Sequence, residues 1–169
     1  MNVLIVDGYN MIGAWPELKN LKEKDLGQAR DLLIEMMAEY QSYTGDRIMI
    51  VFDAYHVRGV EKKQKNYKVE VIFTKENETA DERIEKLAGE LNDVRTQVYV
   101  ATSDYAEQRT IFGQGAFRKS ARELYIEVKN IENQIEKDVE SQNQYPYQSK
   151  IPINKEVREL FEKWRRGDK

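Results

Sequence analysis

The sequence contains no cysteine and a single histidine, His56, in 169 residues. That excludes disulfide partners, thiolate nucleophiles, Cys-based zinc or iron–sulfur sites and any multi-histidine metal centre. Long apolar runs are missing as well. None approaches the roughly 18 residues a membrane helix needs. The apolar opening, Val3-Leu4-Ile5-Val6, is too short for a secretory signal and is broken by Asp7. No membrane partner is expected, and the expected compartment is the cytoplasm. Nor is there an excess of positive charge. Lys+Arg number 27 against 30 Asp+Glu, a formal net charge of −3. Such a protein does not hold nucleic acid by bulk charge alone. The chemistry left to the chain is that of carboxylates, amides and hydroxyls. The length suits one domain, 1–169, with about 70% of the unfolded surface buried in a single core.

Apolar runs and apolar periods alternate along the chain. Val3 to Val6 and Ile48 to Phe52 read as strands buried on both faces, each followed by an aspartate, Asp7 and Asp53. The cluster Asp7-Gly8-Tyr9-Asn10 reads as a turn. Leu26, Ala29, Leu33, Met36, Met37 and Tyr40 recur at helical spacing, with Gly45 as the expected stop. Tyr67 to Phe73 is a third expected strand, and Ile84, Leu87, Ala88 and Leu91 mark a second helix. Val98 to Ala101 is a fourth strand, leading into Thr102-Ser103-Asp104. A short helix is expected from there to about Gly113. A long one follows, with Ala121, Leu124, Tyr125, Val128, Ile131, Ile135 and Val139 on one side. Residues 141–153 are polar, hold Pro146 and Pro152, and read as a connector. Asn154 caps an expected last helix over 154–166, closed by Gly167. Strands alternating with helices imply an α/β fold with a mainly parallel central sheet.

In an open parallel sheet the carboxyl ends of the strands form the ligand edge. Asp7, Asp53 and Asp104 fall at or just past such ends, and Asp81-Glu82 opens the helix after the third strand. Two carboxylates 4 Å apart at an effective dielectric of 20 repel by about 4 kcal/mol. A divalent cation is the simplest offset, and oxygen-only donors point to Mg²⁺ or Mn²⁺. The same residues also suit plain structure. Asp7-Gly8 and Asp53-Ala54 can begin turns. Thr79-Ala80-Asp81-Glu82 fits a capping box, and Ser103-Asp104 can cap a helix.

The ordered set Asp7-Gly8-Tyr9-Asn10, Val51-Phe52-Asp53-Ala54-Tyr55, Thr79-Ala80-Asp81-Glu82, Ala101-Thr102-Ser103-Asp104, Gly113-Gln114-Gly115-Ala116-Phe117-Arg118 and Ser120-Ala121-Arg122-Glu123 spans nearly the whole chain. In that order it resembles the YacP-type branch of the NYN family of PIN-like nucleases. The resemblance implies a single three-layer NYN/PIN-like nuclease domain over 1–169, with connector 141–153 and C-terminal helix 154–166. It implies metal-dependent endonuclease cleavage of single-stranded RNA, mRNA in particular. Carried over, the catalytic and metal positions are Asp7, Asp81 and Asp104, with Asn10 beside Asp7. Asp53 resembles the Phe-Asp-Gly turn of related flap nucleases, with Ala54 in place of the glycine. Glu82 stands where relatives often carry a second acid.

This chemistry supports metal-assisted hydrolysis, in which water attacks in line and leaves a 5′-phosphate and a 3′-hydroxyl. For RNA contact, Arg58, Lys62, Lys63, Lys65 and Lys68 concentrate positive charge between the second and third strands, flanked by Tyr55 and Tyr67. Arg109, Arg118, Lys119 and Arg122 bracket the Gly113–Gly115 loop. A net charge of −3 leaves modest affinity for free RNA, so the ribosome or another ribonucleoprotein is the expected presenting partner. Two other readings compete: a non-catalytic RNA- or protein-binding adaptor, and a carboxylate-based phosphatase. A dehalogenase-like phosphatase expects an aspartate two positions after Asp7, where Tyr9 stands.

Overall fold

The structure, a computed structural model, describes residues 1–54, 69–103, 115–144 and 165. Its elements in chain order are β1 (Asn2–Asp7), α1 (Gly8–Ala14), α2 (Pro16–Lys24), α3 (Leu26–Thr44), β2 (Arg47–Phe52), β3 (Glu70–Phe73), α4 (Ala80–Leu91), β4 (Gln97–Ala101), β5 (Phe117–Lys119) and α5 (Ala121–Gln144). The chain divides into two compact units, Met1–Lys129 and Asn130–Lys169. The first holds the sheet. The described part of the second is the remainder of α5, where Gln134 Nε2 donates to Asp138 Oδ1 across one turn, together with Arg165.

The five strands lie in the order β3-β2-β1-β4-β5. Every neighbouring pair is parallel. β1 is therefore central, with Val3, Leu4, Ile5 and Val6 all buried, as its unbroken apolar run requires. Odd and even positions face opposite layers. Val3, Ile5, Met49, Val51, Val98 and Val100 pack against Ala80, Ile84, Leu87 and Ala88 of α4. On the other face α1 lies against β1 and β2, and α3 against β2.

The local signals explain most boundaries. Asp25 caps α3, its Oδ1 accepting from Gly27 N at 2.9 Å. Gly45, at φ +78°, ends α3 in the left-handed region where glycine has no Cβ penalty. Thr79 caps α4, its Oγ1 accepting from Glu82 N at 3.1 Å. Pro16 starts α2, and Trp15 before it is held extended, which separates α2 from α1.

Three details differ from the sequence reading. Asp7-Gly8-Tyr9-Asn10 is not a turn, because Gly8 begins α1 directly from the last residue of β1. β5 has no apolar run to betray it; it exists because Phe117, Arg118 and Lys119 pair in register with Tyr99, Val100 and Ala101. Finally, α5 continues to Gln144, so the expected connector at 141–153 begins later. No glycine or proline interrupts the helix between Ala121 and Gln144. The start of the third expected strand at Tyr67 and Lys68, the short helix to Gly113, the remainder of the connector and the 154–166 helix apart from helical Arg165 lie outside the described residues.

Candidate active site

The chain passes from β1 through α1–α3 to β2 on one side, and from β3 through α4 to β4 on the other. The connections diverge between β1 and β4. In such sheets the crevice outside the carboxyl ends at that switch point is the ligand site. Asp7, the last residue of β1, stands there at 8% exposure, beside its β2 register partner Val51. Its carboxylate does not cap α1.

The three residues after Asp7 join it to the neighbouring strand ends. Gly8 lies so close to Phe52, the last residue of β2, that a Cβ would fall 2.3 Å from Cε1 of the ring. Only glycine lets the chain turn from β1 into α1 at that distance. The Tyr9 ring packs on Phe52 at 5.1 Å between centroids, and Phe52 stacks on Phe73 of β3 at 5.6 Å. Arg30 Nη1 donates to the Tyr9 hydroxyl at 3.2 Å. Burial pushes the Tyr9 phenol above its ordinary pKa; Arg30 opposes the shift and Asp53 adds to it. Tyr9 is therefore a neutral phenol at working pH.

Asn10 bridges the switch point itself. Its Oδ1 accepts from Ser103 N, just past β4, at 2.9 Å. Ser103 Oγ in turn accepts from Ala121 N at the start of α5, at 3.3 Å. The carbonyl end of Asn10 thus holds the β4 exit, and its Nδ2 is the donor end left to meet a ligand. Thr102, fully buried, donates its N–H to Lys119 O at 3.0 Å and ties in β5. At the other side of the edge, Thr74 N donates to Phe52 O and Thr74 Oγ1 accepts from Ala54 N. That fixes the turn carrying half-buried Asp53.

α4 runs back from the same edge, so its first turn brings exposed Asp81 and Glu82 there. Glu82 is engaged in the cap, its Oε1 accepting from Thr79 Oγ1 at 3.2 Å. Among the described residues no three acidic or histidine side chains come together as a metal-binding group. Asp104, the third carboxylate of the expected set, lies outside them, as does His56. The donors that are described suit a hard divalent cation: a nearly buried aspartate and further carboxylates at one edge, with no sulfur.

Of the expected RNA-contacting residues, Arg118 and Arg122 are exposed. Arg118 Nη2 lies 3.7 Å from Glu123. Lys119 is committed to the fold, its Nζ 2.9 Å from Glu127 Oε1 and 5.3 Å above the Tyr99 ring. Arg58, Lys62, Lys63, Lys65, Lys68, Arg109 and Gly113 lie outside the described residues. The sequence reading passed over Arg30 and Tyr9 as site residues. The signal was there: Arg30 follows the fully buried Ala29 and sits one turn before Leu33, at the border of the α3 apolar stripe.

The sequence model of the family described as the YacP-like NYN domain matches residues 4–166. The uncharacterized protein YacP of Bacillus subtilis (strain 168) is 64% identical over 168 residues, 99% of each chain. The crystal structure of Rae1 (YacP) from Bacillus subtilis superposes with a TM-score of 0.79 at 63% identity, covering 99% of this chain and 96% of that one. Its W164L mutant superposes at 0.77 with 59% identity over the same shares.

Proposed function

The chain belongs to the YacP-like NYN domain family, a family of PIN-like nuclease fold, and from that premise we propose that it is a divalent-metal-dependent endoribonuclease acting on single-stranded RNA. The observation that carries the reading is Asp7: a carboxylate with 8% exposure at the carboxyl end of the central strand, beside the switch point. Burying a carboxylate is costly unless a cation or donors meet it. Asp7, Asp81 and Asp104 are the residues that would hold Mg²⁺ or Mn²⁺, with Asp53 and Glu82 as further donors. Once bound, the metal would neutralise phosphate charge and acidify water at neutral pH. The chain's own part is orientation. Asn10 Nδ2 presents donors to a phosphate oxygen while its carbonyl end holds the β4 exit, and the Tyr9–Phe52–Phe73 stack keeps the β1 and β2 ends rigid.

The substrate class proposed is mRNA in the cytoplasm, presented by the ribosome or another ribonucleoprotein. An acidic chain gains little affinity for free RNA from long-range charge. The test is cleavage of a labelled single-stranded RNA by the parent, Asp7→Asn and Asp81→Asn chains in Mg²⁺, Mn²⁺, Ca²⁺ and excess chelator. The expected result is activity of the parent in Mg²⁺ or Mn²⁺ alone. Calcium takes the same oxygens in a looser geometry and acidifies water less. Both variants should be inactive yet at least as stable as the parent in chelator, since each removes a charge from a mutually repelling edge. Full activity in chelator overturns the metal-dependent reading. A loss of thermal stability in either variant would make that carboxylate structural.

A further inference from the structure

The geometry points to Arg30, oriented by Tyr9, as the receptor for an RNA backbone phosphate beside Asp7. This rests on the nuclease reading and extends it by naming a residue that grips the strand. α3 runs from the carboxyl edge of the sheet, where Asp25 caps it, back to the start of β2 at Arg47. Arg30, in the second turn of α3, therefore stands at the same edge as Asp7. Its Nη1 donates to the hydroxyl of Tyr9, only two residues past Asp7, and the ring of Tyr9 lies on the last residue of β2. The guanidinium is thereby held at the mouth between the β1 and β2 ends.

What marks Arg30 is the partner it lacks. It is half-buried, yet among the described residues no carboxylate comes within ion-pair distance of it. The other half-buried cations among the described residues are matched: Arg47 with Glu70, Arg83 with Glu78, Lys119 with Glu127 and Lys129 with Glu17. The bond to Tyr9 takes one of the five N–H donors of the guanidinium. A partly desolvated fork of donors with no anion among the described residues suits two oxygens of a phosphodiester. Tyr9, a neutral acceptor, is the positioning residue. It holds the fork without neutralising it.

The experiment measures binding of a short fluorescein-labelled single-stranded RNA by anisotropy across a salt series, in the Asp7→Asn background with Ca²⁺ present. Cleavage by each variant with Asp7 intact is followed in Mn²⁺. Arg30→Gln should weaken binding roughly ten- to a hundred-fold, the scale of a hydrogen-bonded charge. It should also lower the log–log salt slope by about 0.7, one phosphate contact on a single strand. Arg30→Lys should keep the slope and fail to restore the affinity, because a point charge lacks the fork. Tyr9→Phe keeps the ring on Phe52 and frees the guanidinium, so it should raise KM with kcat little changed. Equal affinity and salt slope for the parent and Arg30→Gln, with at most a drop in melting temperature, would overturn the assignment and leave Arg30 a structural donor to Tyr9. Failure of the parent to cleave while Arg30-dependent binding persists would sink the nuclease reading and leave the phosphate receptor standing. Failure of the parent to bind RNA would overturn both.

Discussion

A single missing Cβ sets the distance between the two central strand ends. Phe52 is fully buried, with Tyr9 on it and Phe73 stacked beside it, so the ring has nowhere to swing. A methyl group at Gly8 would lie 2.3 Å from Cε1 and 2.5 Å from Cδ1. Gly8→Ala should therefore cost about 1–3 kcal/mol, the usual range for overpacking a core. Urea denaturation measures it, and the added change Phe52→Leu should return part of the loss by making room. Gly8→Ala as stable as the parent would show that the ring can yield. Asp7 and Asn10 flank this contact, so RNA cleavage should fall in Gly8→Ala beyond what the lost stability explains.

At the level of elements, the first turns of α5 are clamped to the sheet and to α3 through one carboxylate. Glu127 Oε1 accepts from Tyr40 OH of α3 and from Lys119 Nζ of β5, each at 2.9 Å. Burial pushes the Tyr40 phenol far above its ordinary pKa, and Glu127 adds to the shift. The sign follows directly. A phenol whose folded pKa exceeds the unfolded value of about 10 contributes stability that is complete below that pH. That contribution is lost as pH rises above it, because the unfolded chain releases its proton first. The urea midpoint should therefore decline above about pH 10, and Tyr40→Phe should flatten that decline. At neutral pH the variant should be about 1 kcal/mol less stable, one hydrogen bond lost. An unchanged alkaline slope in Tyr40→Phe would place the titrating group elsewhere.

For the whole molecule, charge distribution matters more than net charge. The chain carries −3 overall, yet Arg58, Lys62, Lys63, Lys65 and Lys68 fall within eleven consecutive residues between β2 and β3. Neutralising Lys62, Lys63 and Lys65 together should weaken RNA or ribonucleoprotein binding. The log–log salt slope should fall by about 2, at roughly 0.7 per contact on a single strand. The rate at saturating substrate should change little if this segment grips the strand and the carboxylates at the sheet edge do the chemistry. Binding equal to the parent at every salt concentration would make the segment a solvated linker. A collapsed saturated rate with intact binding would put a lysine at the scissile phosphate.

Periodicity in the sequence sufficed for the three longest helices and for the strands buried on both faces, but not for the short helices α1 and α2. α3, α4 and the long α5 show their apolar stripes, Gly45 and Thr79 announce their caps, and the runs in β1, β2 and β4 admit burial on both faces. The motif order was enough for the family. Tertiary structure alone decided the rest, since pairing and contact join residues far apart in the chain. β5 is three residues long and becomes a strand only by lying beside β4. Gly8 starts a helix because the Phe52 ring, 44 positions later, occupies the space of a side chain. Asn10 reads as a ligand group, yet its carbonyl end belongs to Ser103. Lys119 reads as a cation for RNA, yet Glu127 and the Tyr99 ring hold it. Arg30 shows nothing local beyond its place at the border of a stripe. Its role appears only once the chain reversal through α3 brings its guanidinium to the hydroxyl of Tyr9.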